Sequence, residues 1–286
     1  MELVTFDKKT GEIKEDIAYY RTLKQQEAWI KQQQREKAIE KGRDEPHVGC
    51  FQDPIKEVTP HLTLTQCGAL IKLLLHMKMS NGGLLMKNKV PLTLTDIQQI
   101  LGKGRTQTSA IVKKLESLSM INSPKAGRPK HFYMNEKYHV MGTHPKGKGK
   151  RHFIKLYKAK LGGMVDDLTL EELGFLYKIL PYCHYHSFYL VHNPNEGDFA
   201  KIEHMNRDEL ATAINYNVDN VTALVKQLRK KGLLISSNSS GVVLYRVHPH
   251  LIHIQGDGSD SRIKGVCAEF EAHQNEANRR SKRVRD

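Results

Sequence analysis

The chain has 286 residues and a formal net charge of +14, which favours a polyanionic partner but says nothing about the fold. A chain of this length indicates two domains or one large one, because single cores usually stop growing near ~250 residues. No apolar run approaches the ~20 residues of a membrane span, and the start Met1-Glu2-Leu3-Val4 does not resemble a signal peptide, so we expect a cytoplasmic protein with no membrane partner.

The first 60 residues are predicted to form a charged helical arm followed by a loop. From about Lys14 to Lys41 the sequence is rich in Gln, Glu, Lys and Arg, with only an incomplete apolar stripe. This pattern is typical of a mostly solvated helix. It leaves open a charged arm without a specific role, a dimerisation element, or a helix docked on the first core. Residues 42–60 are interrupted by several Gly and Pro, which favours a connecting loop.

A repeated pattern in the remainder of the chain predicts two homologous modules. Leu62-Thr63-Leu64-Thr65 leads to Gly68, and Leu168-Thr169-Leu170-Glu171 leads to Gly174 without a gap. Later segments match after small insertions in the second copy, namely Ile111-Val112-Lys113-Lys114-Leu115 with Met120-Ile121, and Leu224-Val225-Lys226-Gln227-Leu228 with Leu233-Leu234. Self-similarity of this kind is the signature of a duplicated structural unit. We therefore expect each module to contain a long first helix, a short strand, a supporting helix, a second helix and a hairpin.

In the first module, the sequence predicts two short helices joined by a glycine turn. Thr95 followed by Gln98 is a capping-box start, and Gly102 and Gly104 end the first helix. The second helix runs from about Arg105 to Leu118 with its apolar residues inward. Two such helices are also common in helical domains that bind no nucleic acid. The outward side chains that can bond base edges and phosphates are Arg105, Thr106, Gln107, Ser109, Lys113 and Lys114.

The segment after Met120-Ile121 is predicted to be a basic hairpin, because turn-forming and cationic residues separate that apolar pair from Phe132-Tyr133. A hairpin that follows two helices in this way is a wing, and phosphate contacts need several convergent cations. The candidate cations are Lys125, Arg128 and Lys130. Gly127-Arg128-Pro129 also resembles the core of AT-hook peptides, which implies that Arg128 lies in a narrow A·T minor groove. A simple phosphate contact is the alternative for this arginine.

The second module is predicted to repeat this arrangement with a different surface. Asn206 with Glu209 gives a capping-box start, and the helix from Val218 to Lys231 matches the second helix of the first module. Its hairpin, Ser236 to Gly241, carries no cation, so we expect the first module to hold most of the affinity for duplex DNA. The outward candidates on its helix are Asn220, Thr222, Lys226, Arg229 and Lys230.

The segments between and after the modules are predicted to be flexible and basic. Gly142 to Arg151 has the Gly and Lys content of a linker that can track phosphates. Phe153 to Tyr157 alternates apolar with polar residues, as a strand does. Beyond Ile254 the periodicity is lost, and a basic tail is expected to stay disordered until it meets DNA. The linker cations are Lys146, Lys148, Lys150 and Arg151.

No pattern in the sequence predicts an enzyme or a cofactor site. Gly102-Lys103-Gly104-Arg105 lacks the spacing of a phosphate-binding loop, so ATP hydrolysis is not expected. The four Cys are scattered, and the His pairs have no second ligand pair at a zinc-finger interval, so no metal ligand is assigned. His184 and His186, with Tyr residues downstream, leave a metal-dependent DNA-nicking protein open as an alternative function.

These motifs resemble known families of DNA-binding proteins. The repeated helix followed by Thr95 to Tyr133 is similar to MarR-like winged-helix proteins. Phe153 to Tyr157, with the Leu-Thr-Leu helix and the capped supporting helix, resembles RepL-type replication proteins of Firmicute plasmids and phages. Two tandem winged helices are also similar to iteron-binding plasmid initiators. The resemblances imply a double-stranded DNA-binding protein of a plasmid or phage, acting as a replication initiator and origin binder or as a transcriptional regulator.

We therefore predict a mainly α protein with small β-hairpins (α+β), built from two tandem winged-helix domains and an N-terminal helical arm. Double-stranded DNA is the expected partner, and host replication or transcription proteins and a homodimer stay open. A protein-docking adaptor, whose second module has lost contact with DNA, is the remaining alternative. The predicted boundaries are 1–60 for the arm and loop, 61–141 and 153–256 for the two domains, 142–152 for the linker and 257–286 for the basic tail.

Overall fold

The structure is a computed structural model that describes residues 46–79, 81–124, 130–141, 152–239, 242–249, 251–253 and 261–283. The chain divides into two units, Met1–Asp44 and Glu45–Asp286, and the described residues all belong to the second. Several predicted features lie outside the described residues, namely the helical arm, Lys125 and Arg128 of the first hairpin, and the linker cations Lys146, Lys148, Lys150 and Arg151.

The described chain begins with a strand and a helix, β1 (His47–Phe51) and α1 (Gln52–Val58), followed by a short 3-10 turn. The prediction of a loop over 42–60 is therefore wrong from residue 47 onward. Its prolines do not interrupt the structure, because Pro54 lies in the first turn of α1 and Pro60 lies in the first turn of the 3-10 segment. At these positions the backbone N–H that proline lacks would have no partner within the helix.

Helix α2 (Leu64–Leu74) forms the centre of the first module, and it begins at the predicted Leu-Thr-Leu motif. The Gln66 N–H donates to Thr63 Oγ1 at 3.3 Å, and the Thr63 N–H donates to Gln66 Oε1 at 3.0 Å. This capping box satisfies two backbone donors that the helix itself cannot. Most of the helix is buried, so its ends need such local partners.

The rest of the first module alternates short strands with two helices. Its elements are β2 (Met86–Lys87), β3 (Val90–Pro91), α3 (Leu94–Leu101), α4 (Arg105–Ser117), β4 (Ile121–Asn122), β5 (Tyr133–Met134) and β6 (His139–Val140). Strands β2 and β3 form a hairpin, and β4 pairs with β5. The pair of helices is followed directly by the β4–β5 hairpin, as the sequence predicted, and we call it the first hairpin and its β8–β9 counterpart the second.

Helix α3 begins earlier than predicted, because Thr93 and Asp96 form its capping box in place of Thr95 and Gln98. The Thr93 N–H donates to Asp96 Oδ2 at 2.8 Å, and the Asp96 N–H donates to Thr93 Oγ1 at 3.3 Å. A carboxylate is favoured over an amide at this position, since the N-terminus of a helix carries partial positive charge. At the other end, Gly102 closes α3 in the left-handed conformation with φ of 60°, which confirms the predicted glycine turn.

The second module repeats the same order of elements. They are β7 (Phe153–Tyr157), α5 (Lys158–Gly162), α6 (Leu170–Ile179), α7 (Arg207–Ala213), α8 (Val218–Lys230), β8 (Leu234–Ser239), β9 (Val242–Val247) and β10 (Ile252–His253). Strand β7, the capping box of Asn206 and Glu209 on α7, and the hairpin of β8 and β9 are confirmed. Where the first module has the β2–β3 hairpin, residues 183–206 form a longer connection held by isolated bridges.

The last helix, α9 (Ser261–Arg283), stands where a disordered tail was predicted for residues 257–286. Ile263, Val266 and Phe270 recur at spacings of three and four, and this stripe packs against the core with Phe270 2% exposed. Because charged residues surround these three apolar residues, the composition of the segment predicted disorder and the stripe was not recognised. Among the described helices, none is long and apolar enough to cross a membrane.

The two modules share one antiparallel sheet with the strand order β10-β7-β1-β6. The central strands β1 and β7 come from different modules and pair from His47↔Tyr157 to Phe51↔Phe153. Strand β6 closes the first module beside β1, and β10 closes the second beside β7. The buried apolar residues of both modules form one continuous core. The described chain is thus α+β, mainly helical with small antiparallel sheets, as predicted.

A pseudo-twofold axis relates the two modules. From β1 to the end of α2, counterparts differ in number by 106, as Gly174 and Gly68 do, and from α3 onward they differ by 113, as Arg207 and Leu94 do. At the middle of the β1–β7 pairing, Gly49 stands opposite Lys155, which is its own counterpart. Two counterparts can face each other in this way only at the axis that relates them.

Helices α2 and α6 make a reciprocal close contact about the same axis. A Cβ on Gly68 would lie 1.9 Å from the Leu170 carbonyl oxygen, and a Cβ on Gly174 would lie 1.9 Å from the Leu64 carbonyl oxygen. Leu64 and Leu170 are themselves counterparts, so each module presents the same contact to the other. Because no side chain fits between the two backbones, both positions require glycine.

Candidate nucleic-acid interface

Helix α4 packs one face into the core and presents the other to solvent. Thr108, Ile111, Val112 and Leu115 are buried against α2 and α3. The Thr108 hydroxyl donates to the Lys103 carbonyl oxygen at 3.4 Å and joins the helix to the turn before it. The six residues predicted to contact DNA lie on the rest of the helix, with Arg105, Thr106, Gln107 and Lys113 exposed and Ser109 and Lys114 partly exposed.

Helix α8 has the same length of 13 residues and holds the same position in the second module. Val221, Val225 and Leu228 are buried on its inner face. The Asn217 side chain caps the helix, because its oxygen accepts from the Asp219 N–H at 2.8 Å. All five residues predicted to contact DNA from this helix are exposed: Asn220, Thr222, Lys226, Arg229 and Lys230.

Three outward positions keep the same chemistry in both helices. The counterpart pairs are Gln107 and Asn220, Ser109 and Thr222, and Lys113 and Lys226. An amide can bond adenine at two points, a hydroxyl can bond several base edges, and an amine can bond guanine or a phosphate. Ala110 and Ala223, which lie near these positions, are exposed counterparts whose small side chains leave the backbone of each helix open to close approach.

Several other outward positions differ in charge between the two helices. The counterpart pairs are Thr106 and Asp219, Glu116 and Arg229, and Ser117 and Lys230. The first turn of α8 is therefore more acidic than that of α4, and its last turn is more basic. The two helices therefore share the amide, hydroxyl and amine side chains at their middle positions and differ in charge at their first and last turns.

Lys130, the described cation of the first hairpin, is already paired. Its Nζ lies 2.8 Å from Glu116 Oε1 and 5.5 Å from the centre of the Phe132 ring. The Ser123 hydroxyl donates to the same Glu116 oxygen, so α4 is tied to both sides of the hairpin. The Lys130 side chain is 51% exposed, and ion pairs in such a setting contribute little, so a phosphate can replace Glu116 as its partner.

The second hairpin offers no comparable cation among its described positions, 234–239 and 242–247, apart from Arg246. That side chain is turned away from solvent and is only 12% exposed. Its guanidinium carbon lies 4.2 Å from the centre of the Tyr189 ring, and Nη1 pairs with Glu269 of α9. The cation of the second hairpin therefore serves packing within the module.

The tip of the β2–β3 hairpin carries cations that sequence reasoning missed. Lys87 and Lys89 are exposed there, and Asn88 and Lys89 have φ of 50° and 67°. Two successive residues of positive φ are typical of a type I′ turn, which fits a two-residue hairpin. The available signal was the Asn-Lys pair between two short apolar runs.

Helix α9 adds a second group of residues that the sequence did not reveal. His273 and Gln274 of α9 face the last turn of α8 across a cavity of about 450 Å³. The other polar residues that line this cavity are Lys226, Arg229 and Lys230, which were predicted to contact DNA. The contact depends on the apolar stripe of α9, so the predicted disordered tail left no reason to expect it.

His184, one of the histidines considered for metal binding, has both ring nitrogens engaged. The Ser187 N–H donates to its Nδ1 at 3.1 Å, and Nε2 donates to the Glu196 carbonyl oxygen at 2.9 Å. The side chain is buried, and it joins two parts of the connection between α6 and α7. Across the described part of the chain, no group of three His, Cys, Asp or Glu side chains could hold a metal ion.

No protein-family model, no curated protein and no solved structure matches the chain. The site is defined by its own geometry. That geometry consists of two equivalent helices on a shared scaffold, each with polar side chains on its outer face and each followed by a hairpin.

Proposed function

We propose that the chain binds double-stranded DNA through two winged-helix modules, with α4 and α8 as their recognition helices. The observation that carries the proposal is the recurrence of an amide, a hydroxyl and an amine at equivalent outward positions of both helices. These side chains support no buried contact, since all but the partly exposed Ser109 are exposed. Base edges in the major groove are recognised by these chemical groups.

The order of elements in each module supports the proposal. Helices α3 and α7 pack against α4 and α8, and the hairpins β4–β5 and β8–β9 follow directly. In helix-turn-helix proteins the second helix enters the major groove while the first crosses the backbone. The major groove of B-DNA, ~12 Å wide, admits one helix, so a single outward face per module is sufficient.

The net charge of +14 supplies the general attraction that such a protein needs. Lys113, Lys226, Arg229 and Lys230 stand exposed on the two helices, where they can contact phosphates beside the groove. Charge thus accounts for affinity, and the matched polar side chains account for preference among sequences.

The resemblance to MarR-like and RepL-type proteins extends the proposal to a biological role. We propose a plasmid or phage protein that acts as a replication initiator and origin binder or as a transcriptional regulator. Both roles require the same binding to DNA and differ in where the site lies. Sequencing the DNA recovered with the protein from cells separates them, because an initiator is found at a repeat array in an origin and a regulator at a promoter.

The proposal is tested by selecting duplexes from a random library with the full-length protein and titrating the enriched site at several salt concentrations. We expect a defined sequence to emerge, with log affinity falling by roughly 0.9 per log unit of salt for each phosphate neutralised. Lys113→Ala and Lys226→Ala should each weaken binding. Lys201→Ala is the matched control, since it removes another exposed lysine that lies outside both helices and pairs with Asp198. A library without enriched sequences would contradict the proposal.

A further inference from the structure

We infer that one chain recognises two DNA half-sites that are inverted and unequal in sequence, with the dyad of the DNA on the pseudo-twofold axis of the protein. The inference rests on the proposed function and adds the geometry of the target. It concerns orientation, spacing and stoichiometry, none of which follows from DNA binding alone.

Three separate features define the axis. Gly49 pairs with its counterpart Lys155 at the centre of β1 and β7. The sheet order β10-β7-β1-β6 is symmetric about that pair, because β6 and β10 are also counterparts. Gly68 lies against the Leu170 carbonyl oxygen, and its counterpart Gly174 lies against the Leu64 carbonyl oxygen, so the two contacts are equivalent. The two modules are therefore arranged as the subunits of a symmetric dimer, although they belong to one chain.

A twofold rotation leaves equivalent points at the same height along its axis. Helix α4 packs against α2, and α8 packs against α6, and α2 and α6 are the helices in reciprocal contact at the axis. The outward faces of α4 and α8 are thus related by the same rotation, and a duplex that contacts both in equivalent ways must have its own dyad on this axis. Duplex DNA repeats under a twofold rotation only when its half-sites are inverted, whereas direct repeats are related by translation.

The residues of the two helices make the half-sites unequal. The amide, hydroxyl and amine pairs favour related base pairs at the centre of each half-site. At the first turn, Asp219 replaces Thr106, and a carboxylate accepts a hydrogen bond from cytosine where a hydroxyl has no strong preference. We therefore expect an imperfect palindrome whose two halves agree at central positions and differ at one end.

The shared scaffold fixes the distance between the half-sites. A continuous sheet and the two glycine contacts join the modules, so one cannot rotate against the other without breaking the core. Half-sites read from one face of DNA are separated by whole helical turns of ~10–10.5 bp. An insertion of about half a turn, roughly 5 bp, would move one half-site to the opposite face of the duplex.

The experiment uses the full-length chain and four duplexes built from the site that a random library yields. They are the enriched site, the same site with one half reversed to give a direct repeat, the site with about 5 bp inserted at its centre, and a single half-site in unrelated DNA. We expect the enriched site to bind on the order of tenfold to a hundredfold more tightly than the other three. Sedimentation of the complex should show one chain for each enriched site.

Two variants assign each half-site to a helix. In footprints of the enriched site, Lys113→Ala should weaken protection of one half and Lys226→Ala protection of the other. A direct repeat that binds as tightly as the enriched site, a footprint confined to one half, or two chains on the site would overturn the inference and leave the proposed function standing. A library that yields no enriched duplex would overturn both.

Discussion

The two modules agree in their buried frame and differ at the surface around α4 and α8. In the first, Lys130 of the hairpin forms a half-exposed pair with Glu116 on α4. In the second, Arg246 of the hairpin is held under Tyr189 and beside Glu269 of α9. The contacts that define the axis tolerate no change, whereas surface charges can change without disturbing them. The difference shows that a repeated scaffold can keep its symmetry while the outward faces of α4 and α8 become distinct.

The largest effect on stability is expected at the close contact between α2 and α6 on the pseudo-twofold axis. In Gly68→Ala and Gly174→Ala, the added Cβ would lie 1.9 Å from a backbone carbonyl oxygen, which is far inside van der Waals contact. Helices α2 and α6 must separate to accept it, at a cost of about 3 kcal/mol or more in free energy of unfolding. Urea denaturation of the full chain measures this cost, which should be similar for the two variants.

Gly162→Ala provides the matched control for these two substitutions. Gly162 also lies in a helix, but a Cβ there would meet nothing within 4 Å. Alanine should be neutral or stabilise by up to about 1 kcal/mol, because it restricts the unfolded chain. A Gly68→Ala protein as stable as the wild type would contradict the close crossing of α2 and α6.

The next largest effect is expected from the loss of an ion pair that only the second module has. Lys231 Nζ donates to Glu172 Oε2 at 2.8 Å and to the Asp167 carbonyl oxygen at 2.7 Å, and Glu172 is nearly buried. Glu172→Gln keeps an oxygen for the capping box but removes the charge, so it should cost about 1–3 kcal/mol in urea denaturation. The counterpart change, Gln66→Glu on α2, lies at an exposed cap and should alter stability by less than about 0.5 kcal/mol. Equal effects of the two changes would contradict a special role for this ion pair.

The same glutamate should make stability depend on acid pH. Burial acts to raise the pKa of Glu172, but hydrogen bonds from Lys231 and Thr169 outweigh it and hold the pKa below the ordinary 4.5. Because the folded pKa is lower than the unfolded one, the carboxylate stabilises the fold fully above the unfolded value and loses this effect as pH falls through the folded value. Between neutral pH and about pH 3, Glu172→Gln should therefore lose less stability than the wild type. Parallel losses would indicate that other carboxylates dominate.

Local signals made most helices predictable. Caps such as Asn206, the glycine turn at Gly102 and apolar stripes act within a few residues, so α2, α4, α7 and α8 could be inferred from the sequence. Strand β1 could not, because its partner β7 lies about a hundred residues later and no local pattern specifies that register. Helix α9 was missed because three apolar residues among many charges become informative only when a surface exists to receive them.

The residues of the candidate site could be predicted from the sequence where they lie on predictable helices. Helical periodicity separates inward from outward side chains, so the exposed residues of α4 and α8 follow from the sequence. Which cations are already paired does not follow, since the partners of Lys130 and Arg246 are set by tertiary contacts. The repeat was visible in sequence, but the axis through Gly49 and Lys155 depends on how the modules pair.

A smaller effect is expected from the way in which affinity for duplex DNA divides between the two modules. Since one sheet spans both, fragments that end near residue 150 would lose part of it, and point variants of the full chain are the sharper comparison. Lys113→Ala should weaken duplex binding by roughly 1 kcal/mol and Lys226→Ala by less, because the hairpin beside α8 presents no exposed cation at its described positions. Titration at several salt concentrations measures both losses. Losses of equal size would show that the modules share affinity evenly.

The smallest effect tests whether Glu116 restrains the first hairpin. Glu116→Gln removes the charge that pairs with Lys130, and the counterpart of Glu116 in the second module is the cationic Arg229. The ion pair is half exposed, so its loss should change stability by no more than about 0.2–1 kcal/mol.

The freed Lys130 and the removal of a negative charge from α4 should raise duplex affinity by up to about fivefold, the equivalent of the upper end of that pair energy. Glu57→Gln is the matched control, since Glu57 is an exposed glutamate on α1 that lies 4.0 Å from Lys137. This change alters the net charge of the chain by the same amount but lies outside both outward helices. If the two variants gained affinity equally, the gain would come from net charge alone, and Lys130 would have no particular role at the DNA.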